Sequence, residues 1–247
     1  TRDALKNGNF EVIVSGQRKG TGSSRETAAQ CERWSGIRIV IAASFAPIHE
    51  RNNINLGQLM SDHAILERLQ AGETLPLKTF TERYDPVTRL ILESGGLFSF
   101  AERLGAGELQ VPPLPPNIRP MTMAEKIVAR NLVGQADNTC VSPHDPVIAR
   151  VHGGYSHEFT TAQVHTFLSN EYGQDYTLPN PSRFAVFEDH LLYAHHNPKF
   201  LPFMDKVQTL RDLQGAFQRH TGVRDYSAVG DVSPGICHQV AREEFIN

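Results

Sequence analysis

The chain has 247 residues, 24 basic against 27 acidic side chains and a formal net charge of −3, with mean hydropathy −0.34. That is enough chain for one large domain or two modest ones. No run approaches the roughly 18 to 20 uninterrupted apolar residues of a membrane span, and no secretory signal is visible. The near-neutral balance removes any global electrostatic case for nucleic acid, so neither a membrane nor a nucleic-acid partner is expected. Cys31, Cys140 and Cys237 are scattered with no C-x-x-C, which argues against a disulfide framework or a self-contained zinc ribbon and suggests a reducing setting, the cytoplasm first and an organelle interior as the alternative.

Phe10 to Val14 reads as a short strand, Gly16 to Gly22 as a loop, Ser23 to Trp34 as a helix and Ile37 to Phe45 as a buried strand. Strand, helix and strand in that order make a βαβ unit, which requires parallel pairing. Ser23, with Glu26 three residues on, is a capping-box pattern, so the helix is expected to begin at the glycine-rich loop. A helix N-terminus at such a loop offers amides and a positive dipole end to a carboxylate or phosphate, and Arg25 adds a bidentate fork. The loop lacks the third glycine of a dinucleotide fingerprint, the Gly-Lys-Ser/Thr of a P-loop and the pattern of a nucleophile elbow.

Composition changes over Gly105 to Pro120, where five prolines follow Gln110. Such a stretch favours extended, semi-rigid backbone, so the chain is expected to divide into a first domain, 1–105, a linker, 106–120, and a second domain, 121–247. Thr122 to Leu132 is rich in helix formers. Val164, Phe167 and Leu168 suggest a further helix, and Val207, Leu210, Leu213 and Phe217 a third, closed by Gly222. Phe184 to Phe187 reads as a buried strand. The whole is an α/β pattern.

Asp189-His190 directly follows that strand, where open α/β sheets place ligand groups. An Asp beside a His can orient the ring or supply a counter-charge, giving a proton donor near neutral pH; a surface turn is the plainer alternative. His238, in Gly235-Ile-Cys-His-Gln239, is either functional or a packed core histidine. His144-Asp145, His152, His157 and His195-His196 match no standard zinc spacing, which leaves a histidine-metal hydrolase built on His152 and His157 as the weakest reading. Cys237 is a nucleophile candidate, although buried cysteines are mostly inert.

Taken together, Gly20-Thr-Gly-Ser-Ser-Arg25, Ile37 to His49 with Asn52 and Asn53, Met123 to Arg130, Ser156-His-Glu-Phe-Thr160, Phe187-Glu-Asp-His190 and Gly235 to Val240 resemble, in this order, the swivel domain and then the opening of the catalytic large subunit of the aconitase and isopropylmalate dehydratase superfamily. The swivel-first order is similar to the bacterial aconitase B type. The resemblance implies an aconitase-like swivel domain joined to the first part of an α/β/α catalytic domain. It implies a hydro-lyase acting on a hydroxy di- or tricarboxylate such as isopropylmalate or a citrate-like acid. In such an enzyme a [4Fe-4S] cluster acts on the leaving hydroxyl.

By motif, the resemblance gives Ser23 the role of base, with Ser24, Arg25, His157 and Gln163 binding substrate. Asp189 and His190 would manage the proton on the departing hydroxyl, and His238 would lie beside the cluster and substrate. The sequence departs from the family at Thr27, where a histidine is usual, and at Glu158, where Asp is usual. None of the three cysteines stands at a family ligand position. No metal ligand is therefore expected in this chain, the cluster being held by a companion chain or by a further portion of this polypeptide. Pro47 to Leu59 is the candidate specificity region. The competing implication is a cluster-free relative that binds an acidic ligand or RNA.

Overall fold

The computed structural model describes residues 3–22, 26–229 and 232–245. Contacts divide the chain into two compact units, 1–150 and 151–247.

The first unit is built on three parallel strands in chain order, β1 (Val12–Val14), β2 (Ile39–Ile41) and β3 (Leu59–Ser61), with Val12 opposite Ile39 and Ile39 opposite Leu59. The β-branched run at β2 is the central strand, and Val40 and Ile41 are fully buried. Between β1 and β2 runs α1 (Glu26–Trp34), so the expected βαβ unit is present with shorter strands than the apolar runs suggest. Most of the segment Pro47 to Leu59, the candidate specificity region, is helical. Pro47 opens a helix, α2 (Pro47–Asn55), at the position where its missing N–H costs nothing, and β3 follows.

One face of this sheet packs Ile37, Val40, Ile54 and Met60 against α3 (Pro86–Glu93) and α4 (Leu97–Gly105) through Val87, Ile91, Leu92 and Phe100. The other face packs Ile41 with Ile65 and Phe80. The proline-rich stretch has no regular structure, as expected, yet it is not free. Val111 is buried in the same core, beside Leu109 and Ile148; burying a valine side chain contributes about 1.5–3 kcal/mol. The compact unit therefore extends past the prolines to Arg150. Within it α5 (Met123–Arg130) begins at Thr122, whose hydroxyl and backbone N–H exchange hydrogen bonds with Glu125 in a capping box.

The second unit has three parallel strands, β4 (Gly154–His157), β5 (Phe184–Phe187) and β6 (Arg224–Tyr226), in that order. Alternate residues of β5 point to opposite faces. Val186 packs with Tyr176, Phe217 and Val223, while Ala185 and Phe187 pack with Cys237 and Ala241. Both faces are covered, which is why Phe-Ala-Val-Phe is continuously apolar. Two helices, α6 (Glu158–Tyr172) and α7 (Met204–Thr221), pack on each other, with a buried hydrogen bond from Thr161 Oγ1 to Gln214 Oε1 at 3.1 Å. Gly222 closes α7 in the left-handed conformation at φ 72°. A short helix, α8 (Cys237–Val240), follows. Among the described residues, no helix is long and apolar enough to cross a membrane.

Candidate functional site

Because β4, β5 and β6 are parallel, their C-terminal ends share one edge of the sheet. His157 ends β4 opposite Phe187, and Glu188, Asp189 and His190 follow β5. Glu158, the first residue of α6, is 1% exposed. Its Oε1 accepts the backbone N–H of His190 and of Leu191, each at 2.6 Å, and its Oε2 accepts that of Asp189 at 3.3 Å. One carboxylate thus gathers three consecutive amides of the turn after β5.

On that turn, His190 Nδ1 contacts Asp189 Oδ1 and lies 3.9 Å from Glu158 Oε2. The His157 ring stacks on the His190 ring with centroids 4.1 Å apart and planes at 28°, and Phe159 meets His190 edge-on at 5.8 Å. Asp189 Oδ2 accepts the backbone N–H of Cys237 at 2.6 Å. Burial pushes the Asp189 carboxyl up, but the Cys237 N–H, the Cys237 thiol and the His190 ring together outweigh it and hold the group below its ordinary value. The Cys237 thiol is pushed up to about 12, first by burial and then by Asp189. It is a neutral packing group under ordinary conditions, which removes the nucleophile reading.

His238 Nδ1 shares a hydrogen bond with Tyr155 Oη at 2.8 Å and lies 3.4 Å from Cys237 Sγ, while the residue itself is exposed. The second unit therefore joins Asp189, His190 and His157 directly and reaches His238 through Cys237. Gln163 is exposed on α6, and its side chain makes no hydrogen bond among the described residues. His152 contributes only its carbonyl, to Arg183 Nη1 at 3.3 Å. Sequence reasoning missed two groups. Glu158 holds the turn, and buried Glu188 pairs with Arg211 Nε at 2.6 Å while accepting the Ala228 N–H at 2.6 Å. Neither partner set is near in sequence, so no local spacing marks it.

Among the described residues, potential ligand atoms of His157, Glu158 and His190 lie within 4.8 Å of one another, a grouping that could hold a cation.

In the first unit, Ser23, Ser24 and Arg25 lie outside the described residues. The loop before them is fixed by backbone. Lys19 N–H donates to Ser44 O at 3.0 Å and Ala46 N–H to Lys19 O at 2.8 Å, while Lys19 Nζ pairs with Glu32 Oε1 at 2.6 Å. Gly20, at φ 82°, lies against His49 so closely that a Cβ would stand 2.2 Å from the His49 Cβ, so only glycine fits. Burial lowers the pKa of His49, which is 2% exposed; Glu32 opposes this and Lys19 adds to it.

The family model described as "Aconitase C-terminal domain" matches residues 2–62, within the first unit. Small subunit 1 of 3-isopropylmalate dehydratase from Archaeoglobus fulgidus is 36% identical over 115 residues, 40% of this chain and 70% of that protein. An aconitase of Alternaria alternata is 33% identical over 119 residues, 42% of this chain but 14% of that protein. The mitochondrial homoaconitase of Candida parapsilosis is 40% identical over 85 residues, 34% of this chain and 11% of that protein. A crystal structure of 3-isopropylmalate dehydratase from Methanocaldococcus jannaschii aligns at 29% identity with a TM-score of 0.31, covering 39% of this chain and 66% of that one. The chain thus spans parts of its relatives, a large part of the small subunits and a minor part of the aconitases. On the identity to the dehydratase small subunit, the chain belongs to the aconitase and 3-isopropylmalate dehydratase superfamily of carbon–oxygen lyases.

Proposed function

We propose that this chain supplies acid–base and carboxylate-binding groups to a hydro-lyase that interconverts a hydroxy di- or tricarboxylate and its unsaturated partner. The observation that carries the reading is the Asp189–His190 pair, seated at the C-terminal end of β5 on a turn fixed by a buried carboxylate. In the dehydration direction a proton leaves one carbon and a hydroxide leaves its neighbour, giving a double bond and water. His190, its Nδ1 held by Asp189, is suited to deliver the proton that the departing hydroxyl needs. By resemblance Ser23 takes the carbon-bound proton, and Ser24, Arg25, His157 and Gln163 hold substrate carboxylates and hydroxyls. A serine hydroxyl is too weak an acid to act unaided, so Arg25 and nearby helix amides must favour its anion.

The cysteines do not fit a [4Fe-4S] cluster. Cys237 is fully buried as a neutral thiol, Cys31 is exposed on α1, and the Cys140 thiol is given to the Arg119 carbonyl at 3.7 Å. Cluster ligation takes several thiolates in one place. We therefore assign the cluster to residues beyond these, in the remainder of the catalytic domain or a companion chain, as the small-subunit relatives suggest. By resemblance the swivel domain is assigned to 1–105 and the opening of the catalytic domain to 121–247, of which residues 121–150 belong to the first compact unit. Isopropylmalate, citrate and methyl-substituted malates, offered to the anaerobically reconstituted complete enzyme, test the reading. One of them is expected to give an absorbing double bond, with turnover nearly abolished in Ser23→Ala while substrate still binds. Wild-type turnover in Ser23→Ala removes the assignment of the base, and silence of the wild type across the panel removes the hydro-lyase.

A further inference from the structure

We propose that Glu158 is a positioning residue for the Asp189–His190 pair: its buried carboxylate sets where the pair stands by holding the three backbone amides that carry it. This rests on the reading of Asp189 and His190 as an acid–base pair. A carboxylate is an acceptor only, with about four lone-pair sites. Here three are taken by the N–H groups of Asp189, His190 and Leu191, two of them at 2.6 Å, as short as the strongest charge-assisted bonds from nitrogen. The residue is 1% exposed, so no water shares the load from outside. A buried charge so placed is costly unless its field is matched, and three aligned amide dipoles match it.

The same inventory shows where most of the Glu158 carboxylate is spent: Oε1 is filled by two amides and Oε2 by a third, which leaves one lone pair for a cation in the His157, Glu158 and His190 group. The geometry is that of an anchor. It ties the start of α6 to the turn after β5, across 31 to 33 residues of sequence. Anchoring matters to a proton donor because displacement of about 1 Å from productive geometry costs roughly 10²-fold in rate.

The test uses Glu158→Gln and Glu158→Asp. Glutamine keeps the shape but turns an NH₂ toward an amide donor, so one hydrogen bond becomes a clash of donors. In this chain, amide hydrogen exchange is expected to speed up at least tenfold at Asp189, His190 and Leu191 in E158Q, with β5 unchanged and a smaller acceleration in E158D. In the complete enzyme, kcat is expected to fall about 100-fold with KM within threefold, and E158D to recover part of it. If E158Q does not fold, E158D alone carries both readouts. Unchanged exchange at the three amides overturns the anchor. Loss of protection with wild-type kcat overturns positioning and leaves a structural staple. Stoichiometric binding of Zn²⁺ to the wild-type chain that is lost in E158Q, His157→Ala and His190→Ala makes Glu158 a ligand and overturns the proposal. A wild type without turnover on any hydroxy acid defeats the hydro-lyase reading, while the exchange arm still tests the anchor.

Discussion

The Asp189 carboxylate accepts the backbone N–H of Cys237 at 2.6 Å, across 48 residues of sequence. With its other oxygen on the His190 ring, Asp189 ties the turn after β5 to the start of α8. His238, the next residue along that helix, is thereby placed beside Tyr155 of β4. Two motifs that look independent in sequence meet at one carboxylate.

Asp189→Asn therefore does more than remove a charge. Asparagine retains one acceptor, so either the Cys237 amide or the His190 ring loses its partner. A lost hydrogen bond to a charged group costs about 1.5–3 kcal/mol. The expected result is a lower unfolding midpoint together with movement of both His190 and His238 ring signals in an NMR spectrum. Movement of His190 alone would show that the two histidines are not coupled through Asp189.

Cys237 is expected to resist alkylation while the fold is intact. Its thiol pKa is raised to about 12, mainly by burial, whereas Cys31 is exposed. Iodoacetamide at pH 8 followed by mass spectrometry should label Cys31 and leave Cys237 untouched until denaturant is added. The linkage has a definite sign. A raised acid pKa contributes stability that is complete below the unfolded thiol value of roughly 8.5 and is lost as pH rises toward 12. Alkaline unfolding should accordingly come later in Cys237→Ala relative to its own stability at pH 7.

The second unit shows what a sequence exposes and what it conceals. Phe184 to Phe187 is legible because both faces of a central strand are covered, so its residues are uniformly apolar. Gly-Tyr-Ser-His and Arg-Asp-Tyr, the flanking strands, are short and polar, and nothing but their pairing to β5 makes them strands. Asp189 and His190 are legible from position alone, directly after a buried strand. Glu158 is not, because its role depends on amides more than 30 residues away. In the first unit the prolines signal a stretch without regular structure, but proline content says nothing of Val111, whose burial binds that segment to the core.

Phe187 is the packing residue under the candidate site. It is fully buried, stacked on Tyr226 at 4.6 Å and edge-on to Tyr155 at 5.7 Å. Phe187→Ala leaves a cavity beneath the residue that carries Glu188 and is expected to cost about 3–5 kcal/mol. Phe187→Leu should cost less than half as much. Denaturant unfolding measures both, and equal costs would mean that the aromatic contacts, rather than volume, set the stability there.

His49 gives the first unit a pH dependence of its own. The residue is buried, and neither ring nitrogen has a hydrogen-bond partner among the described residues. Burial lowers its pKa from the ordinary value near 6.5, with Glu32 opposing. The unfolded chain takes up a proton that the folded chain refuses, so stability is complete above about 6.5 and declines as pH falls below it. Replacing the imidazole by a ring of similar outline with no polar atoms removes both the unpartnered nitrogens and the proton linkage, while the face that packs on Gly20 is retained. His49→Phe is therefore expected to raise the unfolding midpoint, by more at pH 5.5 than at pH 8. Thermal unfolding across that range checks it. A variant destabilised equally at both pH values would mean that the imidazole is held by bonds its burial does not reveal, and the pH dependence would then have to come from another group.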